Sequence, residues 1–223
     1  MMELDIQAWV KVAAYTGGGI AMGLGAVGAA IGEGYTAAMA NVAVSRNPKI
    51  SGDIFKNMLV GQAVAESASI FALVVSILLL FMNKGEPSMI KAAALLGAGV
   101  SMGFGAVGSG VGSGFPGGQA CLGISRQPAV INRLTTNMLI GSAVCQTPAI
   151  FAMVVALMLL FMDFSSAALN PTWAALIGAG LSTGLAAIGS GYGGGMAAGT
   201  SCEGVARQPE TVGNVTTIML VGQ

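Results

Sequence analysis

Charge is what this sequence has least of. Only 8% of its 223 residues are Asp, Glu, Lys or Arg, against about 25% in a soluble domain. The 9 basic and 9 acidic residues cancel, so nothing here would hold a nucleic acid electrostatically. A basic N-terminal region is also missing. Met1-Met2-Glu3-Leu4-Asp5 is acidic where a secretory signal would carry Lys or Arg. Cysteine is limited to Cys121, Cys145 and Cys202, an odd number at wide spacing. That pattern reads as small apolar filler rather than a metal or redox site. Strict alternation of polar and apolar residues is absent, which argues against a membrane β-barrel.

What the chain has instead is length without charge. Mean hydropathy is +0.79, and Ala92–Ser125, Leu134–Met162 and Phe164–Cys202 contain no charged residue. Each exceeds the ~20 residues a spanning helix needs. Backbone polar groups in lipid must be paired internally, so these segments are expected to be helices. The fold class is therefore an all-α membrane protein.

Repetition organises the helices. Gly23-Leu24-Gly25-Ala26-Val27-Gly28 recurs as Gly103-Phe104-Gly105-Ala106-Val107-Gly108, and more weakly as Gly184-Leu185-Ala186-Ala187-Ile188-Gly189. Arg46-Asn47-Pro48 recurs as Arg126-Gln127-Pro128 and Arg207-Gln208-Pro209. Asn57-Met58-Leu59-Val60-Gly61-Gln62 recurs as Asn137-Met138-Leu139-Ile140-Gly141-Ser142 and Ile218-Met219-Leu220-Val221-Gly222-Gln223. Each unit reads as a Gly-rich helix, a polar loop turned by proline, and an aliphatic helix. This predicts tandem hairpins over residues 1–84, 85–164 and 165–223, with five full helices and the start of a sixth. The third unit stops within its second helix, so the sequence is expected to be a fragment. The loop side holds Arg46, Lys49, Lys56, Arg126, Arg133 and Arg207, and the other side Lys11, Lys84 and Lys91. The positive-inside rule then puts the loops in the cytoplasm and the N-terminus opposite. The loop arginines end their helices, where they complement the dipole and can meet lipid headgroups.

Gly23 to Gly28 fits a dinucleotide-binding G-x-G-x-x-G. No strand precedes it and it recurs inside an uncharged helix, so the match is dismissed. Spacings such as Gly28/Gly32 and Gly108/Gly112 fit close helix packing instead. Repeated in each unit, they suggest an inner cylinder of glycine-rich helices with bulkier helices outside.

Against this background Glu66 stands out. It lies in Ala63-Val64-Ala65-Glu66-Ser67-Ala68-Ser69-Ile70-Phe71, with no further charge to Met82. A carboxylate at the centre of a spanning helix costs roughly 2.5–3.5 kcal/mol. It must be protonated or paired with a cation. Glu33, in Ile31-Gly32-Glu33-Gly34-Tyr35, falls at comparable depth on the antiparallel partner. Two adjacent carboxylates do not both ionise unless a cation intervenes. With the Ser67 hydroxyl and the Val64 carbonyl they are expected to form one all-oxygen pocket for a monovalent cation.

The Gly-rich helix, the Arg-Gln-Pro loop and Gly61-Gln62-Ala63-Val64-Ala65-Glu66-Ser67 together resemble the c subunit, or proteolipid, of rotary ATP synthases and ATPases, in a triplicated form. The pattern is closer to F-type than V-type members, although fused hairpins are typical of the latter. The resemblance implies a homo-oligomeric ring, alone or mixed with other c subunits, turning in membrane lipid. It implies a carboxylate that carries H⁺ or Na⁺ past a stator subunit, and polar loops on the central stalk. Those loops are Arg46, Asn47, Pro48; Arg126, Gln127, Pro128; and Arg207, Gln208, Pro209. Such a subunit is non-catalytic and needs no cofactor beyond the transported ion. Sodium-binding members resemble the Glu33, Val64, Glu66, Ser67 set. They often carry Tyr five residues after the carboxylate, where this chain has Phe71. That departure leaves both ions open, with Na⁺ ahead.

The second unit departs further. Gln146, Thr147 and Ser113 replace Glu66, Ser67 and Glu33, and Pro148 follows. An amide does not titrate, so this unit is expected to be a non-carrying spacer. Gly194 stands at the Glu33 position of unit three. Fewer carriers mean fewer ions per ATP, which favours pumping over synthesis. The competing expectation is a secondary transporter or channel that uses Glu33 and Glu66 between its repeats.

Overall fold

The computed structural model describes residues 5–82, 86–163 and 173–223. Lys84 and the expected hairpin boundaries at 84/85 and 164/165 lie outside the described residues. Among the described residues all regular structure is helical: α1 (Ile6–Arg46), α2 (Ser51–Phe81), α3 (Met89–Arg126), α4 (Ile131–Cys145), α5 (Thr147–Phe161), α6 (Trp173–Arg207) and α7 (Val212–Gly222). The Asp5 carboxylate accepts from the Gln7 N–H at 3.0 Å, and the Ser88 hydroxyl accepts from the Lys91 N–H at 3.1 Å. These side chains start α1 and α3 by satisfying orphan donors.

The three loops are the same structure. Asn47, Gln127 and Gln208 end α1, α3 and α6 with φ near −140° and ψ of 81°, 81° and 86°. That is the extended backbone a following proline demands. The proline then opens a short 3-10 turn in each case: Pro48–Ile50, Pro128–Val130 and Pro209–Thr211. Proline suits that first position, because its missing N–H would be unpaired there anyway.

The hairpins pack as two layers. α3 lies along both α1 and α6 in an inner row, while α2 and the α4–α5 segment lie on the outer side and α7 begins to do so. Burial agrees: 72% of the most apolar stretch of α3 is buried, against 39% for α1 and 22% for α6. Glycine makes the inner row possible. A methyl group added at Gly32 would fall on the Gly110 carbonyl, and one at Gly112 on the Gly191 carbonyl. Lipid offers no hydrophobic drive between helices, so close backbone packing of this kind and interhelical hydrogen bonds hold them together. Trp9, Phe81, Phe161 and Trp173 are exposed at the end away from the loops, where aromatic side chains suit a membrane interface.

Each joint between hairpins carries a buried polar clasp. Asn57 Nδ2 points at the Cys121 and Met138 sulfurs, both at 3.5 Å, and its Oδ1 accepts from Thr135 at 2.9 Å. Asn137 repeats this one hairpin on, donating to Ser201 Oγ at 2.9 Å and accepting from Thr216 at 2.7 Å. Cys202 lies 3.6 Å from the same amide nitrogen. Cys121 and Cys202 are thus more than filler, since they receive an amide that lipid would leave unpaired.

The second helix of hairpin two spans Pro128–Phe161, with a one-residue turn at Gln146 (φ −80°, ψ −16°) between α4 and α5. Pro148 has no N–H to give the Val144 carbonyl, and the Ala149 N–H turns instead to Ser109 Oγ on α3, at 3.0 Å. The neighbouring helix re-satisfies the freed donor, which is what permits such a turn at this depth.

Candidate ion-binding site

Depth is fixed by a bond that recurs in all three hairpins. Gln62 Nε2 donates to the Glu33 backbone carbonyl at 3.3 Å, Ser142 Oγ to that of Ser113 at 3.5 Å, and Gln223 Nε2 to that of Gly194 at 3.1 Å. The carboxylate position lies one turn beyond the first residue of each pair. Glu33 is about 13 residues above its loop and Glu66 about 15, so both lie roughly 20 Å from the loop end at 1.5 Å per residue. Glu33 on α1 and Glu66 on α2 thus stand at similar height on the two helices of hairpin one. Glu33 is half-buried and Glu66 exposed, on a face of hairpin one that no other described segment covers.

Val64 and Ser67 do not complete that pocket. The Val64 carbonyl accepts from Gln146 Nε2 of the next hairpin at 2.9 Å, and from Ser67 Oγ at 2.7 Å. The same Gln146 nitrogen donates to Ser113 Oγ at 2.6 Å. The expected four-residue set is therefore split. Of the four, the Val64 carbonyl is taken up by hairpin two, while the Ser67 hydroxyl bonds that same carbonyl within α2. The reason is geometric: a helix shows opposite faces to its two neighbours, and residues two positions apart, such as Val64 and Glu66, do not share a face.

Gln146 fills the site between hairpins one and two. It is 7% exposed, and its amide nitrogen lies between the Val64 carbonyl and the Ser113 hydroxyl, where a cation or an acidic proton would bridge the same oxygens. Its Oε1 is buried and has no partner. An amide does not titrate, so these hydrogen bonds need neither a proton nor a cation to form. Between hairpins two and three, Val144, Thr147, Pro148, Gly194 and Gln223 line a cavity of about 200 Å³. There Gly194 offers no side chain, and Gln223 Nε2 also reaches the Gly141 carbonyl at 3.0 Å.

Sequence comparison agrees with this three-fold reading. The family of ATP synthase c subunits matches residues 16–79, 96–159 and 177–223. The chain belongs to that family. The ATP synthase c subunit of Natranaerobius thermophilus is 45% identical over 80 residues, which are 92% of its own length but 36% of this chain. That of Dehalococcoides mccartyi strain BAV1 is 49% identical over 80 residues, which are 97% of its length and 36% of this chain. That of Petrotoga mobilis is 50% identical over 68 residues, which are 71% of its length and 30% of this chain. Relatives of one hairpin thus correspond to about a third of this chain, in which the c-type hairpin is repeated within one polypeptide.

Sequence reasoning missed the Asn–Thr–Cys clasps. The signal was present as an asparagine at the same place in two aliphatic helices, Asn57 and Asn137.

Proposed function

We propose that this chain is a rotor subunit that carries Na⁺ or H⁺ on Glu66, with Glu33 beside it, in a ring of an ATP-driven or ATP-synthesising rotary complex. The observation that supports the reading most is the contrast between Glu66 and Gln146. At the same position of two repeats, one hairpin has a titratable carboxylate and the other an amide that cannot lose a proton. A carboxylate at this depth needs a proton or a cation to cross lipid. The carbonyl that Val64 offers to Gln146 of hairpin two illustrates the kind of acceptor a neighbouring hairpin would add beside Glu66. That oxygen set suits Na⁺, with H⁺ as the alternative where Phe71 stands in place of tyrosine.

Hairpin two acts as a spacer in this proposal. Fewer ions per turn concentrate the free energy of each ATP on fewer ions, which suits pumping against a steep gradient. The Arg-x-Pro loops face the cytoplasm and the central stalk, and a stator subunit faces Glu66. The secondary-transporter reading needs its carboxylates between repeats of one chain, and Gln146 occupies that place instead. Carbodiimide labelling of membranes tests the proposal. Modification of Glu66, slowed by Na⁺ in a pH-dependent way, supports the reading and identifies the ion; modification that ignores Na⁺ identifies H⁺. An unlabelled Glu66 counts against both.

A further inference from the structure

The outer helices of hairpins two and three leave a groove between them at the loop end. Asn132, Arg133, Thr136 and Ile140 of α4 line one wall, and Val212 and Thr216 of α7 the other, around a cavity of about 280 Å³. The groove is amphipathic along its length. The span Pro128–Phe161 has 34 residues, which at 1.5 Å each is about 51 Å, against a hydrocarbon core of about 30 Å. Its first turns, with Asn132 and Arg133, therefore stand at headgroup level. Ile140 lies roughly 10 Å deeper, where acyl chains begin.

One cation dominates the rim. Arg133 is exposed, and its Nη1 donates to the Pro209 carbonyl across the joint at 3.0 Å. That bond draws the side chain over the groove and leaves the rest of its planar fork of donors unused. Glu210 follows Pro209, but among the described residues Arg133 has no ion pair. The other arginines of this joint are different. Glu203 lies 3.7 Å from Arg126 and 2.6 Å from Arg207. The repeat also singles Arg133 out. Hairpin one has Asp53 at this position, 4.0 Å from Lys56 Nζ, and hairpin three has Asn214.

We infer that this groove binds an anionic phospholipid of the loop-side leaflet, with its phosphate on Arg133 beside Asn132 and Thr136, and an acyl chain starting down Ile140 and Val212. A guanidinium fork matches phosphate through two parallel N–H groups. A basic pocket between spanning helices is a general way to hold such a headgroup. The apolar lower wall selects a lipid over a free anion, which would gain nothing from it. The lipid would also cover the outer side of the clasp in which Thr216 donates to Asn137 at 2.7 Å. The inference stands on the spanning helices and is independent of which ion Glu66 carries.

Photoactivatable lipids test this. The full chain is reconstituted in phosphatidylcholine vesicles with a trace of phosphatidylglycerol or phosphatidylcholine bearing a diazirine high on one acyl chain. Adducts are mapped by peptide mass spectrometry. One basic side chain near the surface raises anionic-lipid occupancy about fivefold. Labelling of the segments carrying Ile140 and Val212 should therefore be about fivefold stronger with phosphatidylglycerol. Arg133→Asp, the residue hairpin one accepts at this position, should abolish that preference, and Arg133→Lys should keep most of it. Lys49→Ala, outside the groove, should leave it unchanged. If Arg133→Asp does not assemble, Arg133→Gln reads the same loss of charge. Equal labelling by the two lipids in the wild type overturns the inference, as does a preference that survives loss of the Arg133 charge. A preference erased by inorganic phosphate at constant ionic strength also overturns it and marks a free-anion site. So does an unselective groove whose Arg133→Asp variant sheds soluble subunits from the whole complex, which assigns the arginine to a protein partner.

Discussion

Replacing Gln146 with glutamate asks whether the joint between hairpins one and two is a disabled ion site. The amide now gives two hydrogen bonds, to the Val64 carbonyl at 2.9 Å and the Ser113 hydroxyl at 2.6 Å. A bare carboxylate gives none and would face the Val64 oxygen. At this depth its charge costs roughly 2.5–3.5 kcal/mol. At about 1.4 kcal/mol per factor of ten, the balance shifts toward the neutralised form roughly 100-fold relative to water. The introduced carboxyl group should therefore be protonated or cation-paired far more often than in water, bridging the oxygens the amide bridges now. In a Glu66→Gln background, mass spectrometry after carbodiimide treatment of Gln146→Glu should find a new adduct at position 146. The reaction should be slower than that of wild-type Glu66, because position 146 is only 7% exposed. If the pocket accepts Na⁺, added Na⁺ should suppress the adduct. An assembled protein with no adduct at 146, under conditions that label Glu66 in the wild type, would refute the reasoning.

Other perturbations follow from the packing. Gly112→Ala drives a methyl group into the Gly191 backbone and should destabilise the chain by about 1–3 kcal/mol in an SDS-unfolding titration. Gly213→Ala, where a Cβ meets nothing within 4 Å, should be neutral or slightly stabilising. Asn137→Leu removes the amide that Thr216 and Ser201 share and should cost about 0.6–2 kcal/mol in the same titration. Arg126→Ala breaks a 3.7 Å pair with Glu203 whose partners are 40% and 31% exposed. Its effect should stay below about 1 kcal/mol and shrink with added salt.

The hairpins and the glycine faces were legible because each has a local cause. Uncharged length demands helix, proline marks the turn, and small residues recur at helical spacing. The grouping of the site was not legible to the same degree. Glu33 and Glu66 stand at similar height because both belong to one hairpin, which loop counting captures. The Val64 carbonyl goes to Gln146 because the contact lies between hairpins, and periodicity within a helix does not say which neighbour a face meets. The turn at Gln146 was written in Pro148, but only the Ser109 hydroxyl on α3 makes it tolerable. The Asn57 and Asn137 clasps needed the same cross-hairpin register, which appears only when the repeats are set side by side in space.

The central claim is that Glu66 carries the ion and Gln146 does not. ATP-driven ion uptake into proteoliposomes containing the whole complex tests it most directly. Glu66→Gln should abolish uptake, while Gln146→Leu, which keeps the joint filled without polarity, should leave a measurable rate with the same ion dependence. Uptake that survives Glu66→Gln and is lost with Gln146→Leu would contradict the account.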